Sequence, residues 1–320
     1  MKTPFTLQVL MENSKAPCGL AISAVLDKPF HPHEDRHINT DGVGLLAAPQ
    51  MQQPDPRKSS ERMGAMRNVI LVLGLVGLLC AAVGLRVRAA DEPPTARKLN
   101  VLLLTGEDVS AHNWKEIAAA TTEILQASGK FDVKQAEDFK LLESADDLAK
   151  FDVIVQTGCF TKKVDLSDQA KANLLNFVKN GKGIYLQHLA TASFPKWEDF
   201  GKLCGRYWVM GKSGHNARSV FEAKIADTDH PITKGLKDFK TDDELYAKLQ
   251  GTADVKALVT GDSDYSKKTE PLVFVREEGK GRVVVNNLGH DKKALQTPEV
   301  QTLVARGVEW AATGKVTDGK

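Results

Sequence analysis

The 320-residue sequence has 43 basic and 41 acidic residues and a formal net charge of +2, so no global charge attracts it to nucleic acid. Hydrophobic residues make up 42% of the chain, which excludes disorder of the whole and is ordinary for a globular protein with one sizeable core. A binding partner is therefore expected at a local site.

The first 90 residues are predicted to lie outside the folded domain. Residues 1–65 are rich in Pro, Gln, His and Met, show no helical or strand period, and are predicted to be a disordered extension. Residues 66–90 begin with Met66 and Arg67, continue with an uncharged run over 69–85, and end in small residues, which is the layout of a secretory signal. On this interpretation residues 1–65 come from a start codon assigned too far upstream.

The alternative is a genuine N-terminal tail followed by an uncleaved membrane anchor over 69–85, which would then be the chain's contact with a membrane. Both interpretations export the rest of the chain, to the periplasm or cell envelope.

After a linker at 91–98, short apolar runs alternate with helical stretches, the pattern of a parallel sheet with helices on both faces. The predicted elements are strands at 100–106, 131–137, 151–158 and 184–187, a helix at 117–127, and a helix that Ser167 caps.

The second half is less regular. Four further strands are predicted at 220–225, 257–261, 271–277 and 281–289, and Pro298 opens the last helix. One domain over 99–316, followed by a short tail at 317–320, accounts for all of these elements.

Polar side chains follow several strands, and ligands of open parallel sheets bind beyond the carboxyl ends of strands. Glu107, Asp108, His112 and Trp114 follow the first strand, His188 follows the fourth, His290 and Asp291 follow the last, and His215 lies in a glycine-flanked loop. Converging histidines would form a proton-transfer or metal site, whereas a single one is more often a hydrogen-bonded loop residue.

Other candidate residues have both a structural and a functional interpretation. Trp197 and Trp208 are either packed in the core or platforms for a sugar ring. Glu244, in the segment DDELY, is either part of a solvated turn or a carboxylate that acts as an acid or orients an imidazole. Zn²⁺ is the first candidate for imidazoles with a carboxylate, although no local pair such as HExxH is present.

Two features limit other chemistry. The first strand is followed by TGED and not by GxGxxG, which argues against a nicotinamide cofactor. Cys159 and Cys204 lack metal-site spacing, and the sequence leaves open whether they form a disulfide.

Five separated motifs resemble the ThuA-like, or trehalose-utilisation, family. They are TGEDVSAHNW, GKGIYLQHLATASFPKWEDFGKLCGRYW, SGHN, DTDHPITKGLKDFKTDDELY, and GKGRVVVNNLGHD with the final helix. The resemblance implies an α/β flavodoxin-like three-layer sandwich with a mostly parallel sheet, related to class I glutamine amidotransferases. It also implies an association with sugar metabolism, especially that of disaccharides.

The related amidotransferases place a nucleophilic cysteine at the sharp turn after a strand. In this sequence His188 and Leu189 occupy that turn, and Cys159 lies one strand away. A functional glutamine amidotransferase is therefore not expected, and His188 is better interpreted as a ligand or general base.

The sequence thus predicts an exported enzyme, a hydrolase or isomerase, that acts on a small carbohydrate such as an oxidised disaccharide derivative by proton transfer or metal-assisted chemistry. The predicted catalytic residues are His112, His188, Glu244 and His290, of which the three histidines could hold Zn²⁺. The predicted substrate-binding residues are Glu107, Asp108, Trp114, Trp197, Trp208, His215 and Asp291. The alternatives are a non-catalytic carbohydrate-binding module and an interaction protein of the cell envelope; the oligomeric state is not predicted.

Overall fold

A computed structural model of the chain describes residues 97–162 and 166–317. The predicted extension at 1–65 and the signal or anchor at 66–90 lie outside these residues. Within the described ranges, no helix has both the length and the apolar character needed to cross a membrane.

The described chain alternates strands and helices. The strands are β1 (Leu99–Leu104), β2 (Phe131–Ala136), β3 (Val153–Gln156), β4 (Gly183–Gln187), β5 (Ser219–Ile225), β6 (Phe239–Asp243), β7 (Lys256–Ser263), β8 (Lys268–Glu278) and β9 (Gly281–Asn286). The helices are α1 (Trp114–Ala127), α2 (Ala145–Ala149), α3 (Asp168–Lys179), α4 (Glu198–Cys204), α5 (Lys292–Leu295) and α6 (Pro298–Thr313). Two 3₁₀ turns complete it, at Lys140–Leu142 and His188–Ala192.

The nine strands form one mixed sheet in the order β2-β1-β3-β4-β9-β8-β7-β5-β6. The first five strands pair in parallel, in the order of flavodoxin-like sheets with β9 as the fifth strand. The remaining pairings, from β9 to β6, are all antiparallel. The expectation of a mostly parallel sheet is therefore correct for one half only, because strands joined by short connections return beside each other without a crossover helix.

Alternating side chains on the central strands build the two faces of the core. Val101 and Leu103 of β1 belong to a cluster that α1 and α6 cover, whereas Leu102 and Leu104 belong to a cluster that includes residues of α3 and α4. All four side chains are buried. Helices on both faces of a sheet give the three layers that the sequence predicted.

Local sequence signals begin the helices as expected. The side chain of Ser167 accepts a hydrogen bond from the N–H of Ala170 at the start of α3, and Pro298 occupies the first turn of α6. Gly183 of β4 lets α6 approach closely, since a Cβ at this position would lie 2.1 Å from the carbonyl oxygen of Ala311. These contacts fix the strands that lead into the site.

The sheet curls strongly across its antiparallel half. Four strand spacings separate β9 from β6, which would be roughly 19 Å in a flat sheet. Gly289 lies three residues beyond β9, a reach of about 10 Å. Its N–H nevertheless donates to the carboxylate of Asp243, the last residue of β6, at 2.7 Å. The edge strand is thus folded back toward the carboxyl ends of the parallel strands.

Candidate metal centre and active site

The four predicted catalytic side chains converge at the carboxyl edge of the sheet. His112, His188, Glu244 and His290 each direct one potential ligand atom into a cluster in which all four atoms lie within 4.8 Å of one another. His112 follows β1, His188 follows β4, Glu244 follows β6 and His290 follows β9. The parallel strands and the curled edge strand therefore contribute to the same site.

His112 is held by a carboxylate that precedes it in the same loop. Its Nδ1 lies 2.9 Å from Oδ1 of Asp108, and both side chains are almost completely buried. An ionised carboxylate only accepts hydrogen bonds, so this contact places the imidazole proton on Nδ1. The Nε2 of His112 is left for a ligand, and Asp108 is an orienting residue of the kind found behind metal-binding histidines.

His188 occupies a sharp turn directly after β4. Its φ of 50° lies in the left-handed region, which is costly for a residue with a side chain and is concentrated at functional sites. Its Nδ1 donates to the carbonyl oxygen of Asn287 at 2.8 Å, which leaves Nε2 as an acceptor. That acceptor receives the hydroxyl of Tyr246 at 2.6 Å.

Glu244 lies between the histidines. Its Oε2 is 3.4 Å from Nε2 of His188 and 3.3 Å from Nδ1 of His290. Ligands about 2.0–2.1 Å from a tetrahedral Zn²⁺ are about 3.3 Å apart, so both separations suit an ion. Although it is close to Glu244, the buried Nδ1 of His290 makes no hydrogen bond of acceptable geometry.

The buried Asp243 connects Glu244 to His290. Its carboxylate accepts the N–H of Glu244 at 2.8 Å, of Gly289 at 2.7 Å and of His290 at 3.2 Å. Burial raises the pKa of Asp243, and the nearby His188 and the backbone donors offset part of this effect. Asp243 thus fastens the end of β6 to the loop after β9.

The cluster has a consistent electrostatic character. Burial alone would raise the pKa of Glu244, but the nearby imidazoles of His188 and His290 lower it strongly. Glu244 is therefore ionised at neutral pH, which favours the role of ligand or orienting group over that of an acid. The same carboxylate raises the pKa of His290 against the effect of burial.

His215 stands at the edge of the cluster. Its Nε2 lies 3.4 Å from Oε2 of Glu244, while its Nδ1 lies 2.6 Å from the carbonyl oxygen of Asn216. The ring is half-buried and packs 5.8 Å from the indole of Trp208. His215 therefore faces the four ligand atoms without being one of them.

An aromatic groove of about 600 Å³ runs beside the site. Tyr207, Trp208, Trp197 and Met210 line it. Trp208 also packs 4.5 Å from the ring of Tyr246, so this indole is shared by the groove and the cluster. Both tryptophans predicted as sugar platforms thus lie in a concave surface next to the candidate ligands.

Three predicted site residues make other contacts. Trp114 begins α1, with the amine of Lys115 at 5.3 Å from its ring. Asp291 caps α5 and forms an ion pair with Arg218. The carboxylate of Glu107 accepts the N–H groups of Thr161 and Lys162 and so connects the loops after β1 and β3. Their proposed part in substrate binding stays a prediction.

Sequence reasoning missed three residues of the site, Asp243, Tyr246 and Asn287. Asp243 and Tyr246 flank Glu244 in DDELY, which was interpreted only through Glu244. Asn287 acts through its backbone carbonyl, for which a sequence carries no signal. The one sequence signal for Tyr246 was its position two residues after the candidate ligand Glu244.

The two cysteines among the described residues, Cys159 and Cys204, are free and buried. Burial, together with the charges of Asp108 and Glu107, raises the pKa of the Cys159 thiol well above its usual range. A thiol that resists ionisation is a poor nucleophile.

The donor set fits a metal ion. Two histidines have their outer nitrogens engaged by an acceptor, which leaves Nε2 facing the cluster, and the buried Nδ1 of His290 lacks a hydrogen-bond partner. Three imidazoles and a carboxylate suit Zn²⁺ or another divalent transition metal.

Comparisons with known proteins agree with this architecture. The family model ThuA, described as trehalose utilisation, matches residues 100–311. A ThuA-like protein of known structure from Parabacteroides merdae is 28% identical, with a TM-score of 0.61 over 69% of this chain and 92% of its own. A second, from Bacteroides uniformis, is 17% identical, with a TM-score of 0.56 over 71% and 97%. No curated protein sequence matches the chain.

Proposed function

The chain belongs to the ThuA, or trehalose-utilisation, family, and on this premise we propose that it is an exported enzyme that transforms a sugar or an oxidised disaccharide derivative at a metal centre. The observation that carries the proposal is the convergence of His112, His188, Glu244 and His290 within 4.8 Å. Side chains so distant in sequence meet in this way when a site binds a common ligand.

His112, His188, His290 and Glu244 would hold the ion. When bound, it supplies a Lewis acid that polarises a carbonyl or hydroxyl oxygen and lowers the pKa of water. Asp108 and the carbonyl of Asn287 keep the proton of their histidines on the outer nitrogen and thereby orient the rings.

His215 is the imidazole left for proton transfer. It faces Glu244 from outside the four-atom cluster and lies between that carboxylate and Trp208. In the proposed reaction class, a hydrolysis or an isomerisation, its Nε2 takes or returns the proton of a substrate hydroxyl. The groove beside Trp208 receives the rest of the sugar, because pyranose C–H faces pack on indole rings.

Metal analysis of the purified protein and Zn²⁺ titration calorimetry test the proposal. We expect about one equivalent of bound metal, a loss of Zn²⁺ affinity of at least about tenfold in His188→Ala, and a parallel loss of turnover on oxidised disaccharides. His230→Asn is the matched control, because the Nδ1 of His230 accepts the N–H of Ile232 in a turn and an asparagine oxygen can do the same. Unchanged turnover in His188→Ala would remove the metal centre from the mechanism.

A non-catalytic carbohydrate-binding protein is the second candidate, and the groove lined by Trp197 and Trp208 favours it. This alternative predicts that Trp208→Ala loses sugar binding, whereas His188→Ala binds the same sugars as the wild type. Loss of turnover with retained binding in His188→Ala would exclude it.

Export rests on the segment that begins at Met66, which lies outside the described residues. N-terminal sequencing of the native protein tests it: a mature chain that begins near Ala90 indicates a cleaved signal. A chain that retains 69–85 and fractionates with membranes indicates an anchor.

A further inference from the structure

Tyr246 is a buried polar side chain at the cluster that the proposed mechanism does not use. Its side chain is 1% exposed, and its hydroxyl donates to Nε2 of His188 at 2.6 Å. That nitrogen is also the one that His188 offers to a metal ion, because its Nδ1 is engaged by the carbonyl of Asn287.

The hydroxyl and a metal ion compete for one lone pair. An imidazole nitrogen that binds a metal no longer accepts a hydrogen bond, so the O–H of Tyr246 must then find a new acceptor. A buried donor without a partner is costly, and the ring has little freedom to move away. It packs 4.2 Å from His188, 4.5 Å from Trp208 and 5.6 Å from His215.

The carboxylates of Glu244, Asp108 and Asp243 lie near the phenol. Glu244 is a candidate ligand of the same ion, and the carboxylates of Asp108 and Asp243 are already hydrogen-bonded to His112 and to backbone N–H groups. An oxygen atom of a molecule bound at the cluster would supply the acceptor that the phenol has lost.

We infer that the Tyr246 hydroxyl transfers its hydrogen bond from His188 to a substrate oxygen bound at the cluster, and so contacts the substrate directly. The inference rests on the proposed metal centre and adds a donor aimed at the reacting oxygen. Trp208 contacts the same ring and lines the groove, so Tyr246 lies where the groove meets the cluster.

Acetohydroxamate, a small oxygen donor, serves as the probe with the Co²⁺-loaded protein, whose visible absorption bands report both loading and ligand binding. In Tyr246→Phe we expect Co²⁺ affinity equal to that of the wild type or up to about tenfold higher, since the competing hydrogen bond is gone. We expect acetohydroxamate to bind about three- to tenfold more weakly, since the donor to its oxygen is lost. Tyr185→Phe is the matched control, because Tyr185 is also fully buried and its hydroxyl is paired with Asn286 instead.

The outcomes separate the two proposals. A wild-type protein that does not bind Co²⁺ overturns the metal centre and this inference with it. Normal Co²⁺ binding with acetohydroxamate affinities within about twofold in wild type and Tyr246→Phe overturns the inference alone, as does a wild type that binds Co²⁺ but no acetohydroxamate. Loss of Co²⁺ binding in Tyr246→Phe also overturns it, because the hydroxyl would then support the ion and not the substrate.

Discussion

At the scale of single residues, Asp243 holds two candidate ligands, Glu244 and His290, close together. One carboxylate accepts three backbone N–H groups, from Glu244, Gly289 and His290. These donors belong to two separate loops, which ion pairs of Asp242 with Lys293 and of Arg218 with Asp242 and Asp291 connect only at the surface. Asp243 is thus a positioning residue, although it directs no atom of its own into the ligand cluster.

The substitution Asp243→Asn keeps the size of the side chain but replaces one acceptor with a donor that faces N–H groups. We expect Zn²⁺ affinity to fall about 10- to 100-fold, as for other outer partners of metal ligands. Unfolding free energy should fall by about 1–3 kcal/mol. Titration calorimetry and urea denaturation measure the two effects.

Asp242→Asn is the neighbouring control, because Asp242 pairs with Arg218 and Lys293 at the surface of the same strand. Its Zn²⁺ affinity should match that of the wild type. Equal Zn²⁺ affinities in Asp243→Asn and the wild type would show that the ligand loops hold their positions without this carboxylate.

At the scale of secondary-structure elements, α6 and β4 are in closer contact than side chains allow. Gly183 has an ordinary φ, so its role is purely steric: an added Cβ would lie 2.1 Å from the Ala311 carbonyl oxygen. Because the obstacle is backbone, neither element can yield by rotating a side chain. His188 follows β4 directly, so a shift of this strand would also displace a candidate ligand.

Gly183→Ala is therefore expected to lower the unfolding free energy by about 3 kcal/mol or more, at the upper end of overpacking effects. Gly235→Ala is the control, since Gly235 has a φ of +79° and open space around its Cβ. In that variant the unfolding free energy should fall by only about 1–2 kcal/mol, the cost of a side chain in the left-handed conformation. Thermal or urea denaturation gives both values, and equal losses in the two variants would contradict the steric argument.

The elements differ in how well the sequence predicted them. The central parallel strands were predicted because their runs are buried on both faces, as in Val153–Gln156. The strand β6 was missed, because its sequence FKTDD carries few strand-forming residues, although it alternates between buried and exposed positions. The consequence was that Asp243 and Tyr246 had no predicted place in the fold.

Three of the four candidate ligands could be placed from the sequence because they follow strands of the predicted parallel half of the sheet. Strand order brings the carboxyl ends of β1, β4 and β9 to one edge, so His112, His188 and His290 could be placed together from sequence. The position of Glu244 depends on the curl of the antiparallel half, which results from twist and packing along several strands. No local pattern in a sequence encodes that curvature.

At the scale of the whole molecule, the core shields both cysteines of the domain. Cys159 and Cys204 are fully buried and unpaired, and burial raises the pKa of each thiol. Since alkylation requires the thiolate and access to it, we expect neither site to react with iodoacetamide in the native protein, even at pH 9.

Peptide mass spectrometry after labelling follows each cysteine separately. Both should become fully labelled when urea unfolds the chain, at the same denaturant concentration as the loss of secondary structure. Thr252→Cys, at an exposed position, supplies a thiol that should react in the native state. Native labelling of Cys159 at the rate of that control would show that the carboxyl edge of the sheet opens without global unfolding.

The curl of the sheet allows one ligand to link the central parallel strands to the edge strand. His188 continues from the middle of the parallel strands, whereas Glu244 continues from the outermost antiparallel strand, so any ligand held by both joins the interior of the fold to its margin. Such a ligand binds both residues only in the folded state and is released when the chain unfolds. The occupancy of the site therefore reports on whether the whole sheet has folded. Truncation of the chain before β6 would remove Glu244 and, together with β9, His290, so that only His112 and His188 of the four candidate ligands would remain.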